Sequence, residues 1–434
     1  MRLSNLSIGL LVMALVAGCG SGNGTNGTSG ASSTGGSSSS SGSGSGSSSG
    51  GSSGSGSTDT GSGSTASNVL AVTVNGSLCS SSTSSGYTNK PCVSVTVCTP
   101  GTSTCQTIDD ILLDTGSYGL RIFSSALTGV TLTQVSSPSG GALTECVEFG
   151  DGSSLWGPVM TASVILGNED PVEMPIQVIN AGFGTLQCGT PRNPPYATPT
   201  DAGFTGILGV GLFAQDCGTD CSDHTNNGMY YSVSGTITGA TAAPLASQVI
   251  NPVAALTTDK NGVLVQLPTV ATAGAASATG SLILGIGTRT NNTPSSATAY
   301  PANPSIATPD FQTTYGGTSY SGFLDTGSNS LFFPATSSLP ACSNSSYSDW
   351  FCPSTTESLS AVNAGYAGSP SGTVSFQVGD AVAMFNSSYS VFPALGGTMT
   401  GEFDWGLPFF MGRSVYVGLD GTTSTLGTGP YWAY

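Results

Sequence analysis

Two short stretches carry the residues best able to do chemistry. Ile111 to Leu120 reads ILLDTGSYGL, and Gly322 to Leu331 reads GFLDTGSNSL. In each, apolar residues run into an aspartate, Asp114 or Asp325, followed by Thr-Gly-Ser. That pattern places each aspartate at the end of a buried strand. Gly116 and Gly327 permit a sharp turn and close approach of another segment. Thr115, Ser117, Thr326 and Ser328 supply hydroxyls able to hold a carboxylate. A buried carboxylate is costly unless it is hydrogen-bonded or shares a proton. Two brought together meet that cost by sharing one proton, so that one is charged and the other neutral. Such a pair activates water, one carboxyl acting as general base and the other as general acid.

The rest of the composition narrows the alternatives. Among 434 residues only seven are basic, and the formal net charge is −16. An anionic chain without a basic patch excludes nucleic acid as a partner. The scarcity of charge predicts tolerance of low pH, because protonation disturbs few ion pairs. Met1-Arg2, an apolar run from Ile8 to Ala17 and then Gly18-Cys19 read as an export signal, residues 1–19. Leu15-Val16-Ala17-Gly18-Cys19 resembles the lipobox of bacterial lipoproteins, in which the Cys is lipidated and anchors the protein to a membrane. Gly20 is not the Asp of the inner-membrane retention signal, which favours the outer membrane in a Gram-negative envelope. Residues 20–66 are almost all Gly, Ser, Thr and Asn and form a flexible tether. Besides Cys19 there are ten Cys, read in an exported protein as up to five disulfides, with Cys98/Cys105, Cys217/Cys221 and Cys342/Cys352 as local candidates. Cys217, Cys221 and His224 also have a spacing that suits a metal, but export favours the disulfide and no metal is expected. His224 is the one His, so a Ser-His-Asp or Cys-His hydrolase would have to centre on it.

The elements that must position the two turns are strands. VLAVTV (from Val69), VSVTV (from Val93), PVMTASVIL (from Pro158), MPIQVIN (from Met174), GTVSFQVG (from Gly372) and SVYVGLDG (from Ser414) are β-branched or alternating. One modest helix is expected from Pro252 to about Thr258. Many short strands with little helix predict an all-β sandwich or barrel class. Each Asp-Thr-Gly-Ser turn is followed, at a comparable distance, by two apolar residues and a Gly: Ile207-Leu208-Gly209, then Phe410-Met411-Gly412. The same two signals in the same order predict two related lobes, 67–270 and 271–434. The terminal Tyr431-Trp432-Ala433-Tyr434 is expected to pack against the last strand.

These residues resemble the pepsin-like aspartic peptidases, and in particular a group of bacterial lipoproteins with the same paired turns. The resemblance covers about Ser67 to Tyr434. VSVTVCTPGTSTCQTIDDILLDTGSYGL is similar to the family's opening hairpin and first catalytic turn. CVEFGDGSSLWGPVMTASVILGN is similar to its flap hairpin, with Phe149, Gly150, Asp151 and Gly152 at the tip. FTGILGVG, GLPFFMGRSVYVGLD and GSLILGIG are similar to strands behind the catalytic loops and at the opening of the second lobe. The resemblance implies a two-lobed fold and an endopeptidase in which Asp114 and Asp325 hold the attacking water. No metal, cofactor or covalent intermediate is needed. It implies that Thr115 and Thr326 lock the loops together and that Ser117 and Ser328 bind the outer carboxylate oxygens. The implied partner is an extended polypeptide substrate, met by a monomer in the cell envelope. Three positions depart from the pattern. Phe149 stands where the flap usually has Tyr, Arg121 where Trp is usual, and Thr205 where Asp is common. Arg121 is expected at the cleft, drawing an acidic substrate group or lowering the pKa of the pair. The absence of Lys and Arg between Arg2 and Lys90 implies no basic pro-segment. A second reading keeps the fold and drops the chemistry: a weak or inactive binding or inhibitor module at the cell surface.

Overall fold

The β-rich runs fold as strands. In the computed structural model, which describes residues 66–84, 86–190 and 193–434, Val69–Val74 is one strand, and VSVTV lies within Pro91–Cys98. The other runs fall in Ser154–Ile165, Val172–Ile179, Ser371–Val378 and Ser414–Gly418. Cys19, the export signal and all but the last residue of the tether lie outside the described residues. The expected helix is Pro252–Ala255, started by the Asn251 side chain accepting from the Val253 N–H at 3.0 Å. It stops before Thr258 because Leu256 returns to extended backbone. The protein is all-β. No helix among the described residues is long and apolar enough to cross a membrane.

Among the described residues, one sheet has sixteen strands and another has seven. The first strand, Val69–Val74, pairs antiparallel with Ala278–Leu284, which also pairs with Gly262–Gln266. Gly262–Gln266 in turn pairs with Ser414–Gly418, and that strand with Tyr431–Ala433. The division expected at 270/271 therefore falls between two strands that pair with each other. Leu70, Val265, Leu282, Val415 and Trp432 share one buried cluster, and the described residues form one compact unit. The C-terminal aromatics are packing residues: Tyr431 and Trp432 are buried, and Tyr434 stacks on Tyr300 at 4.9 Å.

The two aspartate turns sit in matching surroundings. Cys105–Asp114 runs parallel to Gly206–Val210, with Asp114 opposite Gly209. The strand leaving that turn, Tyr118–Phe123, runs antiparallel to the same Gly206–Val210. In the seven-stranded sheet, Thr318–Leu324 runs parallel to Glu402–Trp405, with Leu324 opposite Trp405. Leu331–Phe333 leaves the second turn and runs antiparallel to Glu402–Trp405. One apolar strand thus holds both arms of each turn. This register corrects the sequence alignment of the second signal. Trp405 stands opposite Leu324 as Leu208 stands opposite Leu113, so Trp405-Gly406, not Met411-Gly412, matches Leu208-Gly209. A Cβ on Gly406 would lie 1.9 Å from the Ser330 carbonyl oxygen, so only glycine fits there.

Candidate functional site

The two turns are bonded to each other across the molecule. Thr115 N–H donates to Thr326 Oγ1 at 3.1 Å, and Thr326 N–H donates to Thr115 Oγ1 at 3.0 Å. Each hydroxyl then donates onward, Thr115 to the Leu324 carbonyl at 2.9 Å and Thr326 to the Leu113 carbonyl at 2.7 Å. All four bonds are buried and related by exchange of the two turns. They fix the turns face to face. A Cβ on Gly116 would lie 2.7 Å from Asp325 Cγ, and one on Gly327 would lie 2.9 Å from Asp114 Cγ. The glycine of each turn therefore rests against the carboxyl of the other, which is why neither position admits a side chain.

Each carboxylate is also held by its own turn. Asp114 Oδ1 accepts from the Gly116 and Ser117 N–H groups at 2.8 and 3.2 Å, and Oδ2 accepts from the Ser117 hydroxyl. Asp325 Oδ1 accepts from the Gly327 N–H at 2.7 Å, and Oδ2 from the Ser328 hydroxyl at 2.8 Å. Both aspartates are fully buried. Burial pushes Asp114 above the usual carboxylate range, opposed by hydrogen bonds from Ser117, Asp325 and Gly116 and by the Arg121 charge. Burial, then the charges of Asp114 and Asp404, push Asp325 well above it. Two carboxyls held this way meet the cost of burial by sharing one proton.

Two residues that break the internal symmetry make the surroundings of the pair unequal. Asp404 is opposite Phe323 in the second turn's support, where the first has Ile207 opposite Leu112. It is fully buried near Ser328, whose side chain partly offsets the cost of burying its charge. Burial pushes it well up. Nothing in the periodicity marks Asp404 as different from any acid on a strand, and the sequence reading missed it. Its one signal is a charged residue between Phe403 and Trp405 in a run that is otherwise core.

Arg121 is the other. It was expected at the cleft, but its side chain is 0% exposed. Its guanidinium donates to Glu145 Oε1 at 2.6 Å, Asp216 Oδ2 at 3.0 Å and the Tyr118 carbonyl at 2.6 Å. The Tyr230 hydroxyl donates to Asp216 Oδ1 at 2.7 Å, completing the cluster. Fully buried and paired with two buried carboxylates, Arg121 does not reach the cleft, although its Nε has no hydrogen-bond partner among the described residues. Its charge still acts on Asp114 through the protein.

The expected flap is a hairpin of Ala142–Glu148 and Ser154–Ile165. At its tip Gly150, Asp151 and Gly152 are exposed, while Phe149 is buried in a cluster that includes Leu112, Ile207 and Tyr87. Asp151 Oδ1 accepts from the Ser153 N–H at 2.8 Å, and Asn193 donates to the Gly152 carbonyl. Thr205, at the third departure, donates to Asp110 Oδ2 at 3.3 Å. Beside the first turn lies a cavity of about 110 Å3, whose walls include Thr115, Gly116, Asp310, Phe323, Glu402 and Trp432.

All ten described Cys pair: Cys79–Cys92, Cys98–Cys105, Cys146–Cys188, Cys217–Cys221 and Cys342–Cys352. The Cys217 and Cys221 sulfurs are thus taken, and His224 is exposed with its ring against Asp220. The metal spacing is a disulfide loop.

A search of curated proteins finds no match. One family model matches residues 64–434, nearly the whole folded chain, and its description is a protein of unknown function, DUF3443. The chain belongs to that family.

Proposed function

We propose that this chain is an aspartic-type endopeptidase with a two-lobed, pepsin-like architecture. The observation that carries the reading is the buried pair itself, with the Gly of each Asp-Thr-Gly-Ser turn against the carboxyl of the other. Asp114, biased toward its charged form by Arg121, takes a proton from a water held between the carboxyls. The hydroxide attacks the peptide carbonyl carbon, and neutral Asp325 gives its proton to the carbonyl oxygen. The tetrahedral intermediate then loses its amine, protonated from Asp114, as the C–N bond breaks and Asp325 recovers a proton. The cavity beside Gly116 offers room for a substrate side chain next to the pair. By the lipobox resemblance, Cys19 anchors the protein to an envelope membrane through the tether. A cell-surface binding or inhibitor module is the second reading, favoured by the missing hydroxyl at Phe149.

The test is cleavage of a mixed peptide library from about pH 3 to pH 7, the range over which such a pair changes protonation, by the native chain and by Asp114→Asn. The expected result is cleavage at acidic pH that the substitution abolishes. Absence of cleavage at every pH, or cleavage that survives in Asp114→Asn, removes the peptidase reading and leaves the binding module.

A further inference from the structure

The segment between the strands Val69–Val74 and Pro91–Cys98 is pinned unusually well for a connection. The Cys79–Cys92 disulfide closes it. Inside the loop, Lys90 Nζ pairs with Asp110 Oδ1 at 2.5 Å, both side chains being buried. Thr83 donates to the other oxygen of Asp110 at 2.5 Å. Asn75 Nδ2 donates to the Tyr87 carbonyl at 2.5 Å. Asn89 reaches across to the second aspartate turn. Its Nδ2 donates to the carbonyls of Asn329 and Phe392 at 2.8 and 2.9 Å, and its Oδ1 accepts from the Phe392 N–H at 2.7 Å. Asn329 is the residue after Ser328. These bonds hold Tyr87 and Asn89 in place relative to the second turn.

Tyr87 sits two residues before Asn89, on the side facing the flap. It is 3% exposed and shares a cluster with Phe149, Leu112 and Ile207. Its hydroxyl is buried and has no hydrogen-bond partner among the described residues. A buried hydroxyl left unpaired costs stability, so a fold that retains one calls for an explanation. Leu112 in that cluster is two residues before Asp114 on the same strand, so the cluster lies next to the first turn. Burial, then the charges of Asp114, Asp325, Tyr196 and Asp151, push the phenol well above the usual range. The phenol is therefore a proton donor throughout the pH range in which the pair works.

We infer that the Tyr87 hydroxyl is a hydrogen-bond donor to the peptide bound over Asp114 and Asp325, supplying from the Asn75–Cys92 connection the hydroxyl that Phe149 lacks. This rests on the peptidase reading. Phe149 and Tyr87 share one buried cluster, and the tip beyond Phe149 is exposed. A peptide that lifts the tip meets the hydroxyl, which gains a partner only when substrate is bound.

The experiment compares the native full-length chain, Tyr87→Phe and Tyr87→Phe/Phe149→Tyr on a peptide that the native chain cleaves, with thermal unfolding of each. Removing an unpaired hydroxyl leaves Tm unchanged or higher. The expected outcome is that Tm together with a kcat lowered by about tenfold or more, the scale on which lost transition-state donors are felt. Placing a hydroxyl back at position 149 restores part of the loss, which a merely structural role does not predict. A kcat within about twofold of native, or a loss that tracks a lowered Tm, overturns the inference and leaves the peptidase reading standing. If the native chain cleaves no peptide, the peptidase reading fails and the inference falls with it.

Discussion

Asp114 and Asp325 occupy equivalent places but unequal fields. The guanidinium of Arg121 favours a charge on Asp114, while a charge on Asp404 opposes one on Asp325. Under the proposed function the pair needs this inequality, because one member must give a proton while the other takes one. Any charge on Asp404 holds Asp325 protonated to higher pH. Asp404→Asn removes that charge, so Asp325 ionises sooner as pH rises. The alkaline limb of a pH–kcat/KM profile is expected to move to lower pH in Asp404→Asn. A limb that stays in place or moves upward separates Asp404 from the pair. The local turn chemistry was legible in the sequence, since Asp-Thr-Gly-Ser carries its own hydroxyls and its own close-approach glycine. Asp404 was not, because an acid's role on a strand depends on which buried neighbour the register sets beside it.

At the scale of elements, Arg121 joins the strand leaving the first turn to the hairpin strand Ala142–Glu148 through Glu145 and to the loop after Gly206–Val210 through Asp216. Burial, followed by the Glu145 charge, pushes Asp216 well above the usual range. Substituting Arg121→Met leaves two buried carboxylates without their cation. Breaking such a cluster is expected to cost about 3–5 kcal/mol at neutral pH. Urea unfolding checks this, and the loss should shrink in acid, where Asp216 becomes neutral. Equal losses at both pH values would mean that packing, not charge, is what Arg121 provides. The position was visible in the sequence as a departure from the family pattern. Its direction was not, because pointing inward rather than into the cleft depends on Glu145 and Asp216, which are remote along the chain.

For the whole molecule, the buried aspartates set the response to pH. Asp114, Asp216, Asp325 and Asp404 all have folded pKa values raised by burial. The folded state thus holds protons that the unfolded chain releases. The stability from these groups is complete below the unfolded carboxylate pKa of about 4 and is lost as pH rises through the folded values. Tm is therefore expected to be highest in acid and to fall toward neutral pH, which calorimetry at a series of pH values measures directly. A Tm that climbs over that interval would show that the buried acids do not govern stability. The sparse charge of the chain suggested acid tolerance, and the fold adds a reason for acid preference.

By itself the sequence determined what is local. The strands followed from β-branched runs and the turns from Asp-Thr-Gly-Ser, while Cys pairs close along the chain offered three disulfide candidates, which the structure forms. It also showed that the turn occurs twice. Only the tertiary structure decided what depends on register and on distant neighbours. It placed Trp405-Gly406 rather than Met411-Gly412 behind the second turn, turned Arg121 into the core and set Asp404 beside Ser328. It also gathered Tyr87 and Phe149 into one buried cluster. Hydrophobic period and turn chemistry act over a few residues, and a single sequence displays them. The partner of a buried charge or hydroxyl is chosen by long-range packing, which no short stretch of sequence encodes.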